Sequence, residues 1–208
     1  MNSLENTASV RKSVWIMGGI IALEGSWLVM NLRVNGWRFA RYLGFAQGGA
    51  GYLAGWIAAA VTVAIFTAFA MRLPSVRANL FRPSALKLLA LLLAVTSGIL
   101  EEVMFRRWTM NYLQEHGCGL VLQVLGSGLA FGLLHGVWGV FGGSLRAALG
   151  ATLATGFLGV MLAIVFLAGG RSLAPCVVAH FVVNALIEPG LVLAATRGEM
   201  SEAQLTIA

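Results

Sequence analysis

Two adjacent carboxylates, Glu101 and Glu102, stand at the end of a long apolar run and are the first residues that could do chemistry. Arg106 follows Glu102 by four residues, and in a helix this spacing puts the two side chains on one face, where they can form an ion pair. Glu101 is rotated by about 100° from Glu102 and has no such partner in its own helix. Ionisable groups in a membrane helix are costly and indicate a functional site, whereas at a helix end in water the same charges would be ordinary and solvated.

Three more polar residues, His135, His180 and Asn184, lie inside other apolar runs. Phe131 precedes His135 by four residues, and His180 precedes Asn184 by four, so each pair shares a helix face. A single buried histidine is more often a core residue than a catalytic one. Here, however, the polar groups lie on three apolar helices, and each would be costly if it faced lipid. We therefore expect them to meet inside a helical bundle.

Such a cluster favours hydrolysis of a peptide bond within the membrane. A glutamate and a neutral histidine can hold a water molecule and take its proton. A second histidine and an asparagine amide can donate hydrogen bonds to the oxyanion that forms on a carbonyl. The side chains of Glu101, His135 and His180 could instead bind a divalent metal such as zinc, so a metal-dependent and a metal-free mechanism both stay open.

Other intramembrane hydrolase designs fit the sequence less well. There is no H-E-x-x-H motif, so a zincin-type site is not supported, and the lack of any Asp rules out an aspartyl protease. A serine design could use Ser127 with His180 as its base. It lacks a glycine two residues before the serine, and it leaves Glu101, Glu102 and His135 unexplained.

The composition is that of an integral membrane protein. Of the 208 residues, 59% are hydrophobic and only 11% are charged, against about 25% charged in soluble domains. The net charge of +6 is spread along the chain, which is typical of loops between membrane helices rather than of a nucleic-acid-binding patch. Cys118 and Cys176 form no motif and are expected to be packing residues.

We predict an all-α bundle of about six transmembrane helices that forms a single membrane domain over residues 1–208. Glu24, in the middle of the first span, is expected to have a structural role. With Arg106 and Arg107 set aside, eight basic residues fall on the side of the N-terminus and four on the other, which favours both termini inside. The six predicted spans are 13–32, 44–71, 84–112, 120–140, 145–168 and 173–195.

Three motifs in this order resemble those of the CAAX prenyl endopeptidase and bacteriocin-processing (CPBP, or Abi) family. They are Glu101-Glu102-x-x-x-Arg106, Phe131-x-x-x-His135 and His180-x-x-x-Asn184. No single motif is specific, but all three in order on three helices are. The resemblance covers about residues 84–195.

The resemblance implies an intramembrane endopeptidase. By analogy, Glu101 and His135 would activate water, His180 and Asn184 would form the oxyanion hole, and Arg106 would orient Glu102. Phe131 would shape the pocket beside His135. The family includes members described as metalloproteases, and a metal-free glutamate mechanism has also been proposed for it.

The expected partners are membrane lipid and a peptide or protein substrate, which is CAAX-like or of the bacteriocin or leader type, and no nucleic acid. The expected location is a bacterial cytoplasmic membrane. Two rival functions are a non-proteolytic scaffold or immunity protein with the same fold and a small proton-coupled transporter.

Overall fold

The computed structural model describes residues 3–45, 49–137 and 145–199, and within these ranges the chain is helical, with no strand. A 3₁₀ turn, Gly36–Arg38, joins the first two helices, and a π-helical segment, Val103–Thr109, follows the fifth. The α-helices are α1 (Ser3–Asn35), α2 (Phe39–Leu43), α3 (Leu53–Ala70), α4 (Pro74–Asn79), α5 (Ala85–Glu102), α6 (Met110–Glu115), α7 (Leu120–His135), α8 (Leu145–Ala168), α9 (Ala174–Ile187) and α10 (Gly190–Thr196).

Each of the six predicted spans contains a helix, and the all-α membrane bundle is confirmed. Four helical stretches in the described ranges are long and apolar enough to cross a membrane: Thr7–Leu43, Leu53–Ala70, Ala85–Glu115 and Leu145–Ala168. The pair α9 and α10, bent by 57°, would make a fifth. By contrast, α7 has only 16 residues. It is therefore about 24 Å long and shorter than a hydrocarbon core of about 30 Å.

The helix that carries the two glutamates begins at a side-chain cap, as its sequence suggests. The Ser84 hydroxyl accepts a hydrogen bond from the Lys87 backbone N–H at 3.1 Å. The helix continues through Glu102 into the π-helical segment, where the Thr109 hydroxyl donates to the Met104 carbonyl, five residues back, at 2.9 Å. Single π-helical turns inside longer helices are frequent at functional sites.

The last predicted span is broken rather than continuous. Pro189 has no backbone N–H to extend the hydrogen-bond ladder, and α9 ends at Ile187. The Lys87 ammonium donates to the carbonyls of Leu186 and Glu188, at 3.0 and 2.6 Å. These bonds satisfy carbonyls that the end of α9 leaves without an intrahelical partner.

The predicted second span begins later than expected. Gly44 ends α2 with φ of +97° and Gly51 has φ of +78°, so both lie in turns, and Gly48 is outside the described residues. Only Gly55 lies in α3, where its Cα faces Gly169. Gly44 and Gly51 fall inside the predicted span 44–71, but they supply left-handed turns before the helix begins.

Glycines bring α7 and α8 into close contact. A Cβ atom on Gly132 would meet the Thr152 carbonyl oxygen and would lie 2.9 Å from the Gly156 Cα. A Cβ atom on Gly128 would lie 3.0 Å from the Val160 backbone nitrogen. This approach of small residues is the usual way in which membrane helices associate.

We expect Gly132→Ala to destabilise the protein by about 1–3 kcal/mol, because its Cβ would push the backbones of α7 and α8 apart. Thermal unfolding in detergent would measure the loss. Gly19→Ala is the control, since a Cβ atom at this position meets nothing within 4 Å. Equal melting temperatures for the two variants would contradict the packing argument.

Candidate active site

A buried ion pair and a histidine form the innermost part of the candidate site. The Glu102 Oε2 lies 3.1 Å from the Arg106 Nε, at an angle that is not that of a linear hydrogen bond. The other carboxylate oxygen, Oε1, lies 2.7 Å from the Nδ1 of His180. Both members of the ion pair are completely buried. The predicted pairing of Glu102 with Arg106 is therefore present, and it extends to α9.

Arg106 is also held by α7 and α8. Its Nη2 donates to the Gly159 carbonyl at 3.1 Å, and its guanidinium carbon lies 4.8 Å from the centre of the Phe131 ring. A cation over an aromatic face is attracted by the ring's electron density. Arg106 thereby connects the π-helical segment to both neighbouring helices.

Phe131 packs between the groups of the site. Its ring stacks on His135, with centroids 4.5 Å apart, and meets the His180 ring edge-on at 5.7 Å. Because the Phe131 side chain is 1% exposed, it fixes both imidazoles through an apolar contact that water does not weaken.

Both imidazoles are oriented through Nδ1. The Nδ1 of His135 lies 2.8 Å from the Phe131 carbonyl oxygen, and that of His180 faces the Glu102 carboxylate. Since a carbonyl and a carboxylate only accept hydrogen bonds, we assign the proton to Nδ1 in each ring. The two Nε2 atoms are therefore turned toward Glu101.

Glu101 lies between the two imidazoles. Its Oε2 is 3.8 Å from the Nε2 of His135 and 3.8 Å from the Nε2 of His180. These distances are too long for a direct hydrogen bond, and Oε2 is a buried atom without a hydrogen-bond partner. A polar separation of this size suits a bridging water.

Exposure separates the inner groups from the outer ones. The side chains of Glu101 and His135 are 13% and 18% exposed, whereas that of His180 is 2% exposed. A substrate would therefore approach from the side of Glu101 and His135, with the Glu102–Arg106 pair behind them.

Backbone packing explains why the two adjacent glutamates have different partners. Gly98 precedes Glu102 by one turn, and a Cβ atom on it would lie 3.4 Å from the Phe181 backbone nitrogen of α9. Glu102 thus lies on the face of α5 that packs against α9. Glu101 is rotated by about 100° from this face, so its side chain points to the more exposed side of the site.

Asn184 is half-buried, one turn after His180 on α9. Its side chain has no hydrogen bond to any residue in the described part of the chain, and its backbone carbonyl accepts from the Glu188 N–H at 2.9 Å. The structure therefore places Asn184 on the helix of the site, but its side chain is not hydrogen-bonded to the glutamates.

Ser127, the candidate nucleophile of the serine design, has a different partner. Its hydroxyl is completely buried and donates to the Phe105 carbonyl at 3.0 Å. A serine nucleophile needs a base that accepts its proton, and here a backbone carbonyl takes that position.

Glu24, for which only a structural role is expected from the sequence, contacts the helix that carries the two glutamates of the site. On α1, its carboxylate accepts hydrogen bonds from Thr96 and Ser97 and lies within electrostatic range of His135 and His180. The available signal was the polar pair Thr96-Ser97 one turn before Glu101, in a run that is otherwise apolar.

The donor atoms of the site are spaced slightly wider than the ligands of a metal centre. Metal–ligand bonds of about 2.1 Å place tetrahedral ligands about 3.4 Å apart, which is less than the 3.8 Å from Glu101 to either imidazole. In the described part of the chain, no three His, Cys, Asp or Glu residues are arranged to hold a metal ion. The reaction steps below therefore do not pass through a metal.

Comparison with known proteins identifies the family. The model of the Type II CAAX prenyl endopeptidase Rce1-like family matches residues 83–186, which is half of the chain. The chain belongs to this family. No match was found among curated proteins, and none was found among solved structures.

The Rce1-like match covers all three motifs and ends before the bend at Pro189. It supports a CAAX-type intramembrane protease at the level of the family. Glu24 lies outside the matched residues, because α1 precedes them.

We expect Arg106→Ala to lower the stability of this Rce1-like protein by about 3–5 kcal/mol, because it leaves the buried Glu102 carboxylate without its cation. Thermal unfolding in detergent would measure the loss, with Arg77→Ala on the exposed surface of α4 as control. Adding Glu102→Gln should restore part of the stability, since it removes the stranded charge. If Arg106→Ala melts like the control, the ion pair does not stabilise the bundle.

Proposed function

We propose that this protein is an intramembrane endopeptidase that hydrolyses a peptide bond of a membrane-associated peptide, CAAX-like or of the leader type. The observation that supports it best is the unpartnered Oε2 of Glu101, which is buried and equidistant from two imidazole nitrogens. A carboxylate oxygen without a hydrogen-bond partner, turned toward two imidazole nitrogens, is the arrangement that a general base for water requires.

In the first step, a water molecule lies between Glu101 and the Nε2 of His135. Glu101 takes one proton from this water as its oxygen attacks the carbonyl carbon of the peptide bond. His135 accepts the second O–H of the water as a hydrogen bond, because its own proton is on Nδ1. The oxygen lone pair is thus directed at the substrate.

In the second step, negative charge forms on the carbonyl oxygen. His180 enters this step as an imidazolium that has taken a proton from bulk water and keeps it: its Nε2 donates to this oxygen, while the Glu102 carboxylate balances the charge from the Nδ1 side. The Asn184 amide is the second donor. Donors that are already oriented stabilise an oxyanion without reorganisation in the transition state.

In the last step, the bond between the carbonyl carbon and the nitrogen breaks. The nitrogen takes the proton that Glu101 received from water, and the carbonyl carbon keeps the oxygen as part of a new carboxyl group. Glu101 returns to its ionised form, so the reaction consumes one water and releases two peptides.

We expect Glu101→Gln to lower kcat by about 10²–10⁴-fold, because an amide cannot accept the proton of water. Folding should survive, since a neutral amide is cheaper to bury than a carboxylate. Turnover of a fluorogenic farnesylated CAAX peptide by protein in lipid nanodiscs would be measured together with the melting temperature. Glu115→Gln, on the exposed end of α6, is the control. Turnover of Glu101→Gln at the wild-type rate would show that another group is the base.

Asn184→Ala should lower kcat by about 10²–10³-fold, because it removes one oxyanion donor and leaves the base intact. The same assay measures it, and the pH dependence of the remaining activity should keep its wild-type shape. An unchanged kcat would remove Asn184 from the mechanism. If the wild-type protein cleaves neither this peptide nor a library of membrane-anchored peptides, the scaffold or immunity function is favoured, and proton-coupled flux into vesicles would favour a transporter.

The proposed location is a bacterial cytoplasmic membrane with both termini inside, in line with the distribution of basic residues.

A further inference from the structure

One buried carboxylate near the site takes no part in the proposed reaction steps. Glu24, in the middle of α1, is 7% exposed. The Thr96 hydroxyl donates to its Oε2 at 2.6 Å, and the Ser97 hydroxyl lies 3.0 and 2.9 Å from Oε1 and Oε2. Three hydroxyl contacts to one carboxylate hold α1 firmly against α5 at this level.

These two donors lie immediately before the proposed general base. Ser97 precedes Glu101 by four residues in α5, so the two side chains lie on one face, one turn apart. Glu102 lies on the neighbouring face, which packs against α9. The turn of α5 that carries Glu101 is therefore fixed by α9 on one side and by Glu24 on the other.

The Glu24 carboxylate is held by hydroxyl groups and not by a cation. No Lys, Arg or His lies within ion-pair distance of Glu24 in the part of the chain that the structure describes. A carboxylate deep in a membrane bundle is costly, and such residues usually have a functional reason. The charge of Glu24 interacts with the ionisable groups of the site, which are Glu101, His135 and His180.

We propose that Glu24 is a positioning residue of the active site: through Thr96 and Ser97 it fixes the turn of α5 that holds Glu101 between the two imidazoles. This inference rests on the proposed function. It makes α1, which lies outside the segment matched by the family model, a part of the catalytic apparatus.

The test compares Glu24→Ala, Ser97→Ala and the double variant in the farnesylated-peptide assay. Because a shift of about 1 Å in a catalytic group can cost about 10²-fold, we expect Glu24→Ala to lower kcat by about 10–100-fold with KM changed less than about twofold. In the Glu24→Ala background, Ser97→Ala should cost nothing further. An unchanged kcat, or losses that multiply in the double variant, would overturn the proposal.

Glu24→Gln separates positioning from charge. The glutamine keeps one carbonyl oxygen that accepts from the hydroxyls, so it should restore most of the kcat lost in Glu24→Ala. A glutamine variant as impaired as the alanine variant would overturn the proposal, because the charge would then be the active feature. The matched control is Glu188→Ala, which removes a carboxylate with similar burial (6% exposed) and a bond to the Val192 N–H. It should lower the melting temperature while kcat stays within about twofold.

Hydrogen exchange provides a readout that does not need activity. Glu24→Ala should speed amide exchange in residues 94–102 by about tenfold or more, and Glu188→Ala should not. Unchanged exchange in this turn overturns the positioning proposal. If Glu24→Ala exchanges faster but the wild-type protein cleaves no peptide, the positioning of this turn is supported and the endopeptidase function is refuted. The two failures are therefore distinguishable.

Discussion

The buried charge of Arg106 is the constraint on which the rest of the site depends. A guanidinium without any exposure must have its charge balanced and its N–H groups directed, or the bundle would be unstable. Glu102 balances the charge, the Gly159 carbonyl takes one N–H, and the Phe131 ring covers one face of the guanidinium. Arg106 therefore contacts α5, α7 and α8 directly, and it is linked to α9 through the bond between Glu102 and His180.

In this arrangement Glu101 has a carboxylate oxygen without a hydrogen-bond partner. The only buried arginine among the described residues is used by its neighbour, and both imidazoles turn their protonated nitrogens toward other acceptors. Glu101 thus keeps an oxygen with no donor in a site lined by fixed groups. An enzyme gains from such an oxygen, because the interaction it lacks in the resting state is supplied by water or substrate.

The sequence was sufficient to predict the helical bundle, the ion pair of Glu102 with Arg106 and the meeting of Glu101 with two histidines. These features follow from helical periodicity and from the cost of polar groups in lipid, which are local or general rules. The contact of Glu24 with Ser97 was not predictable. The two residues are 73 positions apart in the chain, and their contact depends on the register between α1 and α5. The turns at Gly44 and Gly51 were also missed, since a glycine can either permit close helix packing or adopt positive φ, and composition does not separate the two.

The attachment of α5 to α9 at two separate levels limits how this bundle can move. Lys87 binds the carbonyls at the end of α9, and Glu102 binds His180 about 22 Å farther along α5. Because α5 is bound to α9 near both of its own ends, it can neither slide nor pivot on α9 without breaking a charged hydrogen bond. The two helices therefore form one rigid unit. Any motion that admits a polypeptide into the site comes from the helices packed around this unit.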